Sequence, residues 1–128
     1  MKPITQEWVD KAEEDWNLAL MSYRARKHPS YNGAVFHCQQ AAEKYLKSRL
    51  EEAGMIIPKT HDLILLLRDA CIVEPAWKIL QPHLLLLNPY SVAFRYPGAT
   101  ATKLAAKEAI QNCRIVRQVV RKAFGLPV

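Results

Sequence analysis

The chain has 128 residues, half of them apolar, and carries a formal charge of +6 at pH 7. That length suits one core burying about two-thirds of the unfolded surface, so a single domain over residues 1–128 is expected. The longest apolar runs, Leu63 to Leu67 and Leu84 to Leu87, are far below the roughly 18 residues of a membrane span, and Met1-Lys2-Pro3-Ile4-Thr5-Gln6-Glu7 turns polar too soon for a secretory signal, so a cytoplasmic protein without a membrane segment is expected.

Helical periodicity dominates the chain. From about Thr5 to Arg26, Trp8, Ala12, Asp15, Ala19 and Ser22 recur at steps of four and three, and Val9, Trp16, Leu20 and Tyr23 widen the stripe of one long amphipathic helix. His28-Pro29-Ser30 ends it, because the residue before Pro avoids the helical region and Ser30 can cap the next helix. That second helix is predicted from Tyr31 to about Ala53, stopped at Gly54. Its inward stripe is Ala34, Cys38, Ala41, Ala42, Tyr45, Leu46 and Ala53, and the small residues permit close packing.

Thr60 is the expected cap of a short third helix that turns Leu63, Leu66, Leu67 and Ala70 inward. Pro75 suits the first turn of a fourth, running to about Asn88, with a kink or a division into two pieces at Pro82. Pro89 to Ala101, with its Pro, Gly and aromatic residues, predicts an ordered loop. After Thr102 a last helix places Ala105, Ala109, Cys113, Val116, Val120 and Ala123 on one face. No segment sustains period-two alternation, so no strand is predicted and the fold class is all-α.

Cys38, Cys71 and Cys113 form no C-x-x-C pair and have no His at zinc-finger spacing, so neither a disulfide framework nor a metal site is expected. On apolar helix faces Cys38 and Cys113 are small hydrophobes. Charge is unevenly distributed: from Thr102 to Val128, Lys103, Lys107, Arg114, Arg117, Arg121 and Lys122 face one acid, Glu108. Such a surface favours phosphate-bearing partners. The same arginines also complement the dipole of a helix C-terminus on a solvated face.

Three motifs carry a family resemblance. Phe36-His37-Cys38-Gln39-Gln40-Ala41-Ala42-Glu43-Lys44-Tyr45-Leu46-Lys47 resembles the signature helix of the HEPN family (higher eukaryotes and prokaryotes nucleotide-binding domain), where a Gln-Gln-Ala-x-Glu-Lys-x-Leu-Lys run is typical. Thr60-His61-Asp62-Leu63 is similar to the family's Thr-His-x-Leu turn, and Tyr90 followed by Arg95-Tyr96-Pro97-Gly98 to its Tyr then Arg-Tyr-Pro element. With the first helix (Trp8, Ala12, Asp15, Ala19) these motifs span nearly the whole chain in order. The resemblance implies an up-and-down bundle of four or five helices, a homodimer, and pairing with a minimal nucleotidyltransferase.

The same residues also carry a reading of their own. His37, Gln40, Lys44 and Lys47 share the helix face opposite the Ala34 stripe, with Glu43 at its margin. Such a ridge presents lysines to phosphate oxygens and Gln40 to a base edge; it is also a solvated face with a Glu43–Lys47 i, i+4 pair. Arg95, in a loop stiffened by Pro89 and Pro97, presents a guanidinium at small entropic cost or anchors the loop on helix C-terminal carbonyls. His61 is either a donor at the rim of the site or a side chain that bonds its own loop. Asp15, on an inward face, requires a cationic partner, Arg95 or Lys47. The candidate nucleotide- or RNA-binding set is Gln40, Lys44, Lys47, His61, Arg95 and Tyr96, with the Tyr96 ring available for base stacking.

The ribonuclease branch of the family uses an Arg, four to six intervening residues, then a His. Only Arg24 and His28 approach that spacing, with three residues between, at a helix end. The departure points away from catalysis. No Walker-type Gly loop, Gly-x-Ser-x-Gly elbow or Glu-x-x-His pair is present, and no cofactor is expected. The first function class is a non-catalytic nucleotide- or RNA-binding partner of a minimal nucleotidyltransferase, in a toxin–antitoxin-like or stress-response pair. The second is an RNA-cleaving enzyme in which Arg95 and His61 meet from distant segments, and a helical structural adaptor is the third.

Overall fold

Pro3 opens the first helix, where its missing N–H is one of the donors that a helix start leaves unpaired anyway. The computed structural model describes residues 1–128 as five α-helices without a strand: α1 (Pro3–Arg24), α2 (Tyr31–Glu52), α3 (Leu63–Val73), α4 (Gln81–Leu87) and α5 (Lys103–Ala123). Short 3-10 turns at Pro75–Leu80 and Asn88–Ser91 flank α4, so the predicted fourth helix is divided, as its internal Pro82 suggests. No helix is long and apolar enough to cross a membrane.

α1 and α2 form an antiparallel hairpin. The Ser30 amide donates to the Ser22 carbonyl at 2.9 Å, and at the far end the Thr5 hydroxyl donates to Glu52 at 3.0 Å. Ser30 caps α2 by accepting from the Gly33 amide at 3.0 Å. A Cβ on Gly33 would stand 2.8 Å from the Ser30 hydroxyl, so only glycine leaves this cap undisturbed. The Cys113 thiol meets the Cys38 carbonyl at 3.4 Å and Arg121 meets the Tyr45 hydroxyl at 3.2 Å, which sets α5 parallel to α2.

The core of 27 buried residues draws on all five helices. α2 is its axis: Ala34, Val35, Cys38, Ala41, Ala42, Tyr45, Leu46 and Leu50 are buried, and so are the polar Gln39, Glu43, Lys47 and Ser48. Cys38 and Cys113 lie in this core as small apolar side chains, and the Cys38 thiol is pushed up by its contact with Cys113 and by burial.

Four sequence expectations are corrected. Ala53 is the exposed residue after α2 and not part of its inward stripe. The cap of α3 is Asp62, which accepts from the Ile64 amide at 2.9 Å, while the Thr60 hydroxyl accepts from the Asp62 amide at 3.0 Å. On α5 the buried face passes through Ala106 and Ile110, leaving Ala105 half-buried and Ala123 exposed. The three arginines of α5 do not share one solvated face: Arg117 forms a two-pronged pair with Glu13 at 2.9 and 2.6 Å, and Arg121 donates to the Tyr45 hydroxyl and to the Pro127 carbonyl. Tyr45 donates in turn to Glu13. Burial raises the Glu13 carboxyl, but the bonds from Arg117 and Tyr45 outweigh it and hold the group below its ordinary value.

Candidate functional site

α2 is covered on more than one side, so its polar residues have to find partners within the protein, since an unpaired buried polar group costs about 1–3 kcal/mol. Asp15 reaches across from α1. Its two oxygens meet His37 Nδ1 at 2.8 Å and Lys44 Nζ at 2.5 Å. These are the partners that Asp15 required, with Lys44 as the cation in place of the expected Arg95 or Lys47. Burial pushes the Asp15 carboxyl up, yet the hydrogen bonds from His37 and Lys44 prevail and hold it below its ordinary value.

Directly before Lys44 on α2, Glu43 organises a second group. It bonds Lys47 at 3.0 Å, His61 Nδ1 at 2.7 Å and the Gln39 amide at 3.4 Å. Gln39 also donates to the His61 carbonyl at 3.0 Å, and Gln40 donates to Gln39 at 2.7 Å. The His61 side chain is nevertheless 70% exposed, so Glu43 orients the ring while most of its surface stays open. The Lys47 ammonium lies 5.8 Å from the Trp8 ring centre, and every buried side-chain N or O atom has a partner.

The loop after α4 follows a different logic. Phe94 adopts a left-handed φ of 65°, a conformation that is uncommon for a bulky residue. It packs against the core while the exposed Arg95 lies with its guanidinium 5.1 Å from the Phe36 ring centre. The Arg95 guanidinium makes one hydrogen bond, to the Ser91 carbonyl at 3.3 Å. The loop thus folds onto α2, and Tyr96 beside it is 73% exposed.

The candidate residues therefore fall into three groups. Gln40, Lys47 and His61 join through Gln39 and Glu43, while Lys44 belongs with Asp15 and His37. Arg95 lies on Phe36, with the exposed Tyr96 next to it in the chain, and Phe36 precedes Lys44 by eight residues and Lys47 by eleven, roughly 12 and 16 Å of helix rise. The signal for Glu43 and Gln39 was visible in the sequence, because Gln39, Glu43 and Lys47 recur at i, i+4, i+8. His37 shares Phe36 as a neighbour with Arg95, its ring packing edge-on at 5.3 Å; periodicity placed it on the same ridge, but it was not among the expected binding residues. No group of three His, Cys, Asp or Glu converges in the way a metal ion requires.

Five helices packed around the axial α2, with the Arg-Tyr-Pro loop laid on Phe36, define an all-α helical bundle. The HEPN domain family matches residues 5–123, and the chain belongs to the HEPN family. In fold it is similar to the crystal structure of TT1696 from Thermus thermophilus, at 24% identity and a TM-score of 0.81 over 92% of this chain and 96% of that one. No curated protein matches it.

Proposed function

We propose that this HEPN protein binds a nucleotide or RNA as the homodimeric partner of a minimal nucleotidyltransferase, in a toxin–antitoxin-like or stress-response pair within the cytoplasm. The observation that carries the reading is Arg95: an exposed guanidinium laid on Phe36, with a single carbonyl bond occupying one of its donors. The remaining N–H groups suit phosphate oxygens, and the aromatic contact limits the freedom that binding would remove. Tyr96 adds an exposed ring for a base, a sequence-tolerant contact. Gln40 and Lys44 continue the site along α2, with His61 beside it in the turn before α3, and Lys47 supports it by holding Glu43.

Titration with ATP and with a short RNA tests the reading. Removing a charge-assisted bond costs about 1.5–3 kcal/mol, so Arg95→Ala is expected to weaken binding roughly tenfold or more while helicity is retained. Tyr96→Ala is expected to weaken RNA binding by about 1–3 kcal/mol per stacked base. Equal affinity in the wild type and both variants would remove the site. Size-exclusion of the protein co-expressed with a nucleotidyltransferase from its own gene neighbourhood tests the partner; two independent peaks count against it.

The second reading, RNA cleavage, draws on the shared contact of Arg95 and His37 with Phe36, whereas His61 is held on Glu43. Cleavage of the RNA during titration that is lost in His37→Ala would favour it over pure binding.

A further inference from the structure

The cations of the molecule divide into those that carboxylates hold and those that none holds. Arg117 and Arg121 both lie within salt-bridge distance of Glu13. In contrast, a surface groove between the end of α1 and α5 is lined by Arg24, Lys107 and Arg114, with Tyr23 and Gln111 beside them and no acid in the lining. None of the three cations takes part in a salt bridge. The floor is apolar, formed by Leu20 and Ile110. Clustering like charges on one groove without counter-charges costs stability through repulsion, and an external anion relieves it.

We infer that this groove binds the phosphodiester backbone of a single-stranded nucleic acid. The inference rests on the nucleic-acid side of the function proposed above but uses none of its residues. Lys107 and Arg114 are seven residues apart on α5, roughly 10 Å along the axis, and Arg24 faces them from α1. Charge spread over that length matches successive phosphates of a chain better than the single charged end of a mononucleotide. Lys103, one turn before Lys107 and exposed, extends the line.

Two of the side chains are already placed. The Arg114 guanidinium rests 5.4 Å from the Trp16 ring centre, and Tyr23 leans on Tyr31 with ring centres 6.0 Å apart. Side chains ordered before binding lose less entropy on binding. Gln111 adds amide donors for phosphate or sugar oxygens.

The test follows the anisotropy of a labelled short oligouridylate as NaCl is raised. Each single-strand phosphate contact contributes about 0.7 to the salt slope. Arg24→Gln/Lys107→Gln/Arg114→Gln is therefore expected to flatten the slope by about 2 and to lower affinity at least tenfold. Because Arg114 also touches Trp16, the double variant Arg24→Gln/Lys107→Gln leaves that contact intact and should still lower the slope by about 1.4. The charge-matched control Lys11→Gln/Lys59→Gln/Lys78→Gln should leave the slope near the wild-type value. ATP affinity should survive the groove variants and fall in Arg95→Ala, so the two sites fail separately. The inference is overturned if the wild type does not bind the oligouridylate, if the slope is unchanged in the groove variants, or if the control loses as much. Competition by polyglutamate with equal affinity would also overturn it, reassigning the groove to an acidic protein.

Discussion

At the scale of single residues, buried ionic partners set the behaviour. The Asp15 carboxyl is held below its ordinary value by His37 and Lys44 against the effect of burial. A carboxylate lowered in this way stabilises the folded state at pH values above its unfolded pKa of about 3.9, and that stabilisation is lost as pH falls through the folded value. The unfolding temperature should therefore drop as the solution is taken from about pH 5 toward pH 2. Asp15→Asn should give a flatter curve, with the remaining slope supplied by Glu13, which is lowered in the same direction. Parallel curves for the two proteins would remove this role.

Glu43 and Lys47 form a tighter case, with side chains only 5% and 10% exposed. Removing one member of a buried pair leaves the other charge uncompensated and costs about 3–5 kcal/mol. Glu43→Ala should show that loss in urea unfolding, and Glu43→Leu/Lys47→Met should recover most of it. If the double variant is no more stable than the single one, the pair does not act as a unit. The i, i+4 spacing made this pair legible in the sequence. Its burial was not legible, because spacing on one helix does not tell which other helix covers that face.

At the scale of elements, α2 works as an axis because its side chains are small where neighbouring helices press against it. Ala34, Cys38, Ala41 and Ala42 are fully buried. A larger side chain there forces the backbone apart, at about 1–3 kcal/mol for added methylenes in a packed core. Ala42→Leu should lower the unfolding temperature with helicity retained, and an unchanged temperature would mean that α2 has room on that side. The helices themselves were legible. The Ser30 cap, the start of α5 after Thr102, the end of α1 before Pro29 and the division of the fourth segment all follow from local chemistry. Thr60 misled because Thr60-His61-Asp62 holds two residues able to cap, and the Ile64 and Leu63 amides, which donate to Asp62 and Asn88, place the start at Leu63, after Asp62.

For the whole molecule, the proposed homodimer has a surface to use. Ile72, Ile79, Leu85 and Leu86 are all more than half exposed, and they fall on α3, the 3-10 turn and α4, which succeed one another in the chain. Sedimentation at micromolar concentration should give a dimer mass, and because association stabilises by mass action the unfolding temperature should rise with protein concentration. Ile79→Asp/Leu86→Asp should abolish both effects. A wild-type protein that sediments as a monomer would remove the dimer.

Sequence by itself determined what depends on neighbours along the chain: the helical class, the Ser30 cap, the proline breaks, the absence of a helix able to cross a membrane, and the motifs Gln39-Gln40-Ala41-Ala42-Glu43-Lys44 and Arg95-Tyr96-Pro97. Tertiary structure decided what depends on partners far apart in sequence. Asp15 chose His37 and Lys44 over Arg95, Glu43 gathered Lys47 and His61, and Glu13 drew Arg117 and Arg121 away from solvent while Arg114 stayed open in its groove. The physical reason is that periodicity fixes a side chain's direction around its own helix axis, whereas its charge partner depends on which helix packs opposite, a matter of the whole core.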